Sequence, residues 1–112
     1  MTQTISKQTI DQRLNINLNE LKILCQKWQI AEIALFGSIL TDHFNSESDL
    51  DLLITYLPTA KRGLLEKIIL KEELENLFKR PVDLVSKKAI ETSSNWIRKE
   101  HILNSLEVLY VS

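Results

Sequence analysis

Residues 35–55 read LFGSILTDHFNSESDLDLLIT. An apolar run ends at Gly37-Ser38, ten residues follow, and a second apolar run opens on Asp49-Leu50-Asp51. Residues two apart in a strand share a face, so Asp49 and Asp51 project together while Leu50, Leu52 and Ile54 point into a core. The segment Asn45-Ser46-Glu47-Ser48 between the runs is turn chemistry. This is the layout of a phosphate-and-metal site. A glycine lets a triphosphate approach the backbone closely, Ser38 adds amide and hydroxyl donors, and magnesium takes carboxylate oxygens.

Upstream, Ile30 to Phe36 reads as a strand ended by Gly37. Before it, Leu18, Leu21, Cys25 and Trp28 fall on one face of a helix over about 17–29. Asn17 with Glu20 three residues on resembles a capping box at its start. Residues 1–16 keep no sustained period and are read as an arm preceding one domain over 17–112. Ser38 to about Phe44 is expected to form a short helix, whose unpaired amide groups would favour an anion.

Downstream, Pro58 ends the strand that starts at Asp49, and a helix is predicted over about 61–79. Leu64, Leu65, Ile68 and Ile69 lie on one side of it and Leu70, Leu74, Leu77 and Phe78 on the other. Either this helix breaks near Lys71 or both sides are buried, one of them against a partner. Arg80-Pro81 stops it, and Val82 to Val85 reads as a strand with Asp83 opposite Val82 and Leu84. Residues 86–94 read as loop, Asn95 to about Ser105 as a short helix, and Leu106 to Val111 as a terminal strand. The expected fold class is α/β (α+β), a mixed sheet of three to five strands flanked by helices.

Composition narrows the function. The chain has 112 residues, room for one domain and not for a catalytic domain plus a large substrate domain, so another molecule is expected to present the acceptor. Lys+Arg 14 against Asp+Glu 15 gives a net charge of −1 and no basic field, so direct binding to nucleic acid is not expected. Cys25 is the only cysteine, which excludes an internal disulfide and a multi-cysteine zinc site and fits a reducing, cytoplasmic compartment. No apolar stretch has transmembrane length. Cys25 and Trp28 read as core, and His43 and His101 lack metal-ligand spacing.

If the Asp83 strand neighbours the Asp49/Asp51 strand, three carboxylates form a two-metal arrangement, with Asp83 as ligand or general base. The reaction class is transfer of a nucleotidyl group from a nucleoside triphosphate, pyrophosphate leaving.

The LFGS run, its ten-residue spacing to DLDLLI and the later RPVDLV resemble the signature of the minimal nucleotidyltransferases, within the superfamily sharing the DNA polymerase beta palm. The resemblance runs from about residue 17 to the C-terminus. It implies that Gly37 and Ser38 bind the triphosphate, that Asp49 and Asp51 bind two magnesium ions, and that Asp83 is the third carboxylate. Small members of this family are often antitoxins paired with HEPN-domain ribonuclease toxins, as in MntA–HepT systems. The implied activity is transfer of AMP from ATP to a tyrosine of that partner. Competing readings are an antitoxin that masks its partner without catalysis, and transfer to a small molecule or an RNA end. Many relatives carry an arginine and a glycine where this chain has Thr41 and Asp42, so a cation expected near the phosphates is absent unless Lys87, Lys88 or Arg98 replaces it.

Overall fold

The computed structural model describes residues 14, 16–40, 44–45, 47–61, 63–92, 94–103 and 106–112, without the side chains of Trp96, Arg98 and His101. Among these lie helix α1 (Leu18–Lys27), strand β1 (Ile30–Phe36), a 3₁₀ turn (Gly37–Leu40), β2 (Leu50–Tyr56), α2 (Leu64–Phe78), β3 (Val82–Ser86), α3 (Lys87–Glu91), α4 (Trp96–Leu103) and β4 (Glu107–Val111). The strands form one mixed sheet in the order β3-β2-β1-β4. β1 pairs antiparallel with both β2 and β4, and β2 pairs parallel with β3. The fold is the mixed α/β sheet with flanking helices that the alternation of strand and helix patterns predicts.

Both faces of the sheet are covered, by two separate apolar clusters. On one face Ile33, Leu35, Leu50, Leu52, Ile54 and Leu84 pack against Leu21 and Cys25 of α1 and Leu70, Leu74 and Phe78 of α2. Leu14 is buried in the same cluster, and Ile16 packs against it. On the other face Ala34, Phe36 and Leu53 meet Ile90 of α3 and Ile102 of α4. Each fully buried leucine or isoleucine stabilises the fold by about 1.5–3 kcal/mol, so the larger cluster dominates.

The helix boundaries have local causes. The Asn17 side chain accepts from the amides of Asn19 and Glu20 at 2.9 and 3.4 Å, capping α1. That helix ends two residues earlier than its periodicity suggests, because Gln29 turns into the left-handed region at φ +54°. Lys79 does the same at the end of α2, at φ +57°.

α2 is one continuous helix, with no break near Lys71. Leu70, Leu74 and Phe78 are buried, whereas Leu64, Leu65, Ile68 and Ile69 are 77, 66, 54 and 38% exposed. Among the described residues, only one of its two apolar sides is therefore covered.

Two sequence expectations need correction. Gly37–Leu40 is a 3₁₀ turn, and Phe44 is not helical, so the expected helix from Ser38 is at most this short turn in the described residues. Residues 86–94 are not all loop: the Ser86 hydroxyl oxygen accepts from the Ala89 amide at 3.1 Å and starts α3. One capping side chain nucleates a helix too short to show a hydrophobic period.

Candidate active site

The site begins where β1 runs out. Gly37 has φ +79°, a backbone conformation that only glycine adopts without strain. It swings the chain from the strand into the 3₁₀ turn, and Ile39 and Leu40 anchor that turn in the interior. Antiparallel pairing sets Phe36 opposite Asp51. The Asp51 carboxylate consequently lies over the Gly37 backbone. A β-carbon on Gly37 would collide with Oδ2 of Asp51 and stand 3.1 Å from its Cγ.

Parallel pairing brings in the third carboxylate. Leu50 is in register with Val82, and Asp51 with Asp83. Parallel neighbours stand about 4.8 Å apart, with side chains on one face of the sheet. Asp51 is half-buried and Asp83 exposed. Asp49, exposed and just ahead of β2, comes from the same face by alternation. The sequence-predicted residues Gly37, Ser38, Asp49, Asp51 and Asp83 thus gather at one end of the β1–β2–β3 sheet. Beyond the carboxylates the same face is closed by Phe36, Leu53 and Ile90, an apolar floor that strengthens electrostatic interactions beside it.

The approach to Asp49 is built by hydrogen bonds. The Glu47 amide donates to Asn45 Oδ1 at 2.8 Å, the Ser48 amide to the Asn45 carbonyl at 3.1 Å, and the Asn45 amide to Ser48 Oγ at 3.0 Å. Arg80 fastens this turn from outside. Its Nη1 donates to the carbonyls of Ser48 at 2.9 Å and Asn45 at 3.3 Å, while its guanidinium lies 4.4 Å from the centre of the Phe44 ring. The next residue, Pro81, accepts from the Leu50 amide at 2.9 Å. Glu75 of α2 takes the Val82 amide at 2.9 Å. The starts of β2 and β3, where Asp49, Asp51 and Asp83 sit, are therefore held to each other.

Arg80 is the site residue that the sequence pattern hides. It reads as part of a helix stop, whereas its Nη1 donates to two carbonyls of a turn more than thirty positions earlier. Lys87 and Lys88 line a cleft at the far end of β2 and β3 instead of joining the carboxylates. Thr41, Asp42 and His43, and the side chain of Arg98, lie outside the described residues.

The donor set suits a hard divalent cation: carboxylates on adjacent strands, with that of Asp51 lying directly against the Gly37 backbone. Among the described residues no three histidine, cysteine, aspartate or glutamate side chains are yet gathered as a metal cluster. The backbone register brings the positions of Asp51 and Asp83 together on adjacent strands.

A family model described as nucleotidyltransferase domain matches residues 20–109. A candidate protein adenylyltransferase of Methanocaldococcus jannaschii is 36% identical over 69 residues, 62% of this chain and 69% of the relative. A solved candidate minimal nucleotidyltransferase superposes with TM-score 0.61 at 28% identity, over 80% of this chain and 85% of that one. The complex of a tri-AMPylated Shewanella oneidensis HEPN toxin with its MNT antitoxin gives TM-score 0.54 at 19% identity, over 84% of this chain and 69% of that one, a likeness of fold.

Proposed function

The chain belongs to the nucleotidyltransferase domain family, and from that premise we propose that it transfers AMP from ATP to a tyrosine hydroxyl of a partner HEPN-domain toxin, acting as its antitoxin. The observation that carries the reading is the register of Asp51 with Asp83, beside the Gly37 backbone. It supplies oxygen donors from adjacent strands next to a turn that a triphosphate can approach.

In this reading the Gly37-Ser38 backbone and the Ser38 hydroxyl donate to the triphosphate, holding its α-phosphorus in front of the carboxylates. The acceptor oxygen attacks that phosphorus in line, the α–β phosphoanhydride bond breaks, and pyrophosphate departs with the electron pair. The hydroxyl proton passes to Asp83. Asp49, Asp51 and Asp83 would hold two magnesium ions, which when bound neutralise phosphate charge and lower the pKa of the attacking hydroxyl. Gathering three carboxylates costs Coulomb repulsion that divalent charge offsets.

The partner is supported by two things: the exposed apolar side of α2 and the toxin complex that shares the fold. Incubation with labelled ATP, magnesium and a HEPN partner, followed by peptide mass mapping, tests the proposal. AMP should appear on a tyrosine and should vanish with Asp49→Asn. Absence of transfer, or equal transfer by the variant, would falsify it.

The exposed apolar side of α2 also favours a second reading, an antitoxin that neutralises by masking alone. On that reading the Asp49→Asn and Asp51→Asn variants neutralise the toxin as well as the parent does.

A further inference from the structure

The lysines at the start of α3 take no part in the site above, and the structure gives them another setting. A cavity of about 270 Å³ opens at the carboxyl ends of the parallel strands β2 and β3. Ile54, Leu84 and Val85 line its apolar part, and Lys67 of α2 with Lys87 and Lys88 of α3 line it with charge. Among the described residues of the lining Glu91 is the only acidic one, beside three lysines. None of the three lysines is tied up in an ion pair with a described residue. Ser86, also in the lining, uses a lone pair of its hydroxyl to cap the Ala89 amide and keeps its proton to donate.

Position separates this cleft from the carboxylates. Asp83 and Ser86, the last residue of β3 and part of the cleft lining, are three residues apart along the strand, about 10 Å at the rise of a strand. Between the two ends the sheet face is filled by Leu53 and Ile90. The cleft lies where the two parallel strands end and the loops leave them, the end at which open α/β sheets present a crevice. The carboxylates use the opposite end.

We propose that this cleft is a second binding site, for a small phosphorylated molecule with an apolar or aromatic body, of the size class of a nucleoside monophosphate. The lysines and the Ser86 hydroxyl take the phosphate, and the half-buried Tyr56 and Val85 cover the body. Bare phosphate would leave that apolar lining unused. The site shares no residue with the proposed transfer chemistry and stands whether or not that reading holds.

The test is titration of isotope-labelled protein with AMP and, separately, inorganic phosphate, following amide resonances without magnesium. AMP should shift Thr55 and Ser86 to Lys88, and should do so equally in the Asp49→Asn/Asp51→Asn variant. The Lys67→Ala/Lys87→Ala/Lys88→Ala variant should bind about tenfold or more weakly, the loss expected from removing charge-assisted hydrogen bonds. Its unchanged β1–β2 resonances would show that it folds. Shifts confined to Gly37–Leu40 and Asp49–Asp51, unweakened binding by the lysine variant, or inorganic phosphate binding as tightly as AMP would each overturn the proposal.

Discussion

Gly37 and Asp51 occupy complementary space: the carboxylate of one fills the volume that a side chain on the other would need. The contact follows from the pairing of Phe36 with Asp51 and from the positive φ of Gly37. Gly37→Ala should therefore fail twice. The left-handed backbone costs an alanine about 1–2 kcal/mol. The collision also pushes Asp51 out of line, and displacement of about 1 Å costs catalysis about a hundredfold. Denaturant unfolding and AMP transfer measured on the same preparation check both parts.

Arg80→Ala should loosen the turn that delivers Asp49 without touching any carboxylate. Loss of two charge-assisted bonds and the stacking on Phe44 should cost about 1–3 kcal/mol. Arg80→Lys should recover only part of it, since an ammonium lacks the planar fork. Hydrogen exchange should quicken at the Ser48 and Leu50 amides before it quickens in α1.

Glu73 ties α1 to α2. Partial burial raises its carboxyl pKa, but the hydrogen bonds from Lys27 Nζ at 2.6 Å and Trp28 Nε1 at 3.0 Å outweigh this and hold it below the ordinary 4.5. A carboxyl with a depressed folded pKa stabilises above its unfolded value, and the contribution fades as pH falls through the folded one. Stability should thus drop as pH goes below 4.5, and Glu73→Gln should flatten that slope. The Lys27 end is 60% exposed, so the effect should be small and salt-sensitive. Urea midpoints from pH 3 to pH 7 measure it.

Cys25 is fully buried, and burial pushes its thiol up to about 12 from 9.0. A raised folded pKa gives stability that is complete below pH 9 and declines from there towards pH 12, as the unfolded thiol ionises first. Near neutral pH the native thiol should resist iodoacetamide, and its labelling rate should track global unfolding. Labelling as fast as that of a free peptide would contradict this.

The exposed side of α2 should be dispensable for folding and necessary for partner binding. Leu65→Lys with Ile68→Lys should change the unfolding free energy by no more than about 0.5 kcal/mol per substitution, as surface substitutions do. Co-purification with a HEPN partner should be lost. Retained binding would place the interface elsewhere.

Much of this was readable in the chain because the relevant signals are local. The strand period around Asp49 and Asp51, the glycine after β1 and the aspartate inside β3 each show in a few consecutive residues. What the sequence hid depends on partners far apart in the chain. The Arg80 clamp spans from the end of α2 back to Asn45 and Ser48. The pairing of β4 with β1 joins the terminal strand to the first. The exposed side of α2 was visible as an excess of apolar positions, yet periodicity cannot say whether such a side is covered by the same chain. The lysines of α3 were candidates to replace the arginine that relatives carry at the position of Thr41, and the direction of β3 carries them to the other end of the sheet.

The parallel pairing of β2 with β3 also has a kinetic side. Phe36 and Asp51 are 15 positions apart and meet across one antiparallel connection, whereas Asp51 and Asp83 are 32 apart and meet only when α2 has packed and the crossover has closed. Contacts that are more distant in sequence require a costlier loop closure and tend to form later. Gly37 and Asp51 can therefore come together in an early hairpin that has no third carboxylate. On warming, the crossover should open first, so transfer activity should disappear while the β1–β2 amides remain protected from exchange.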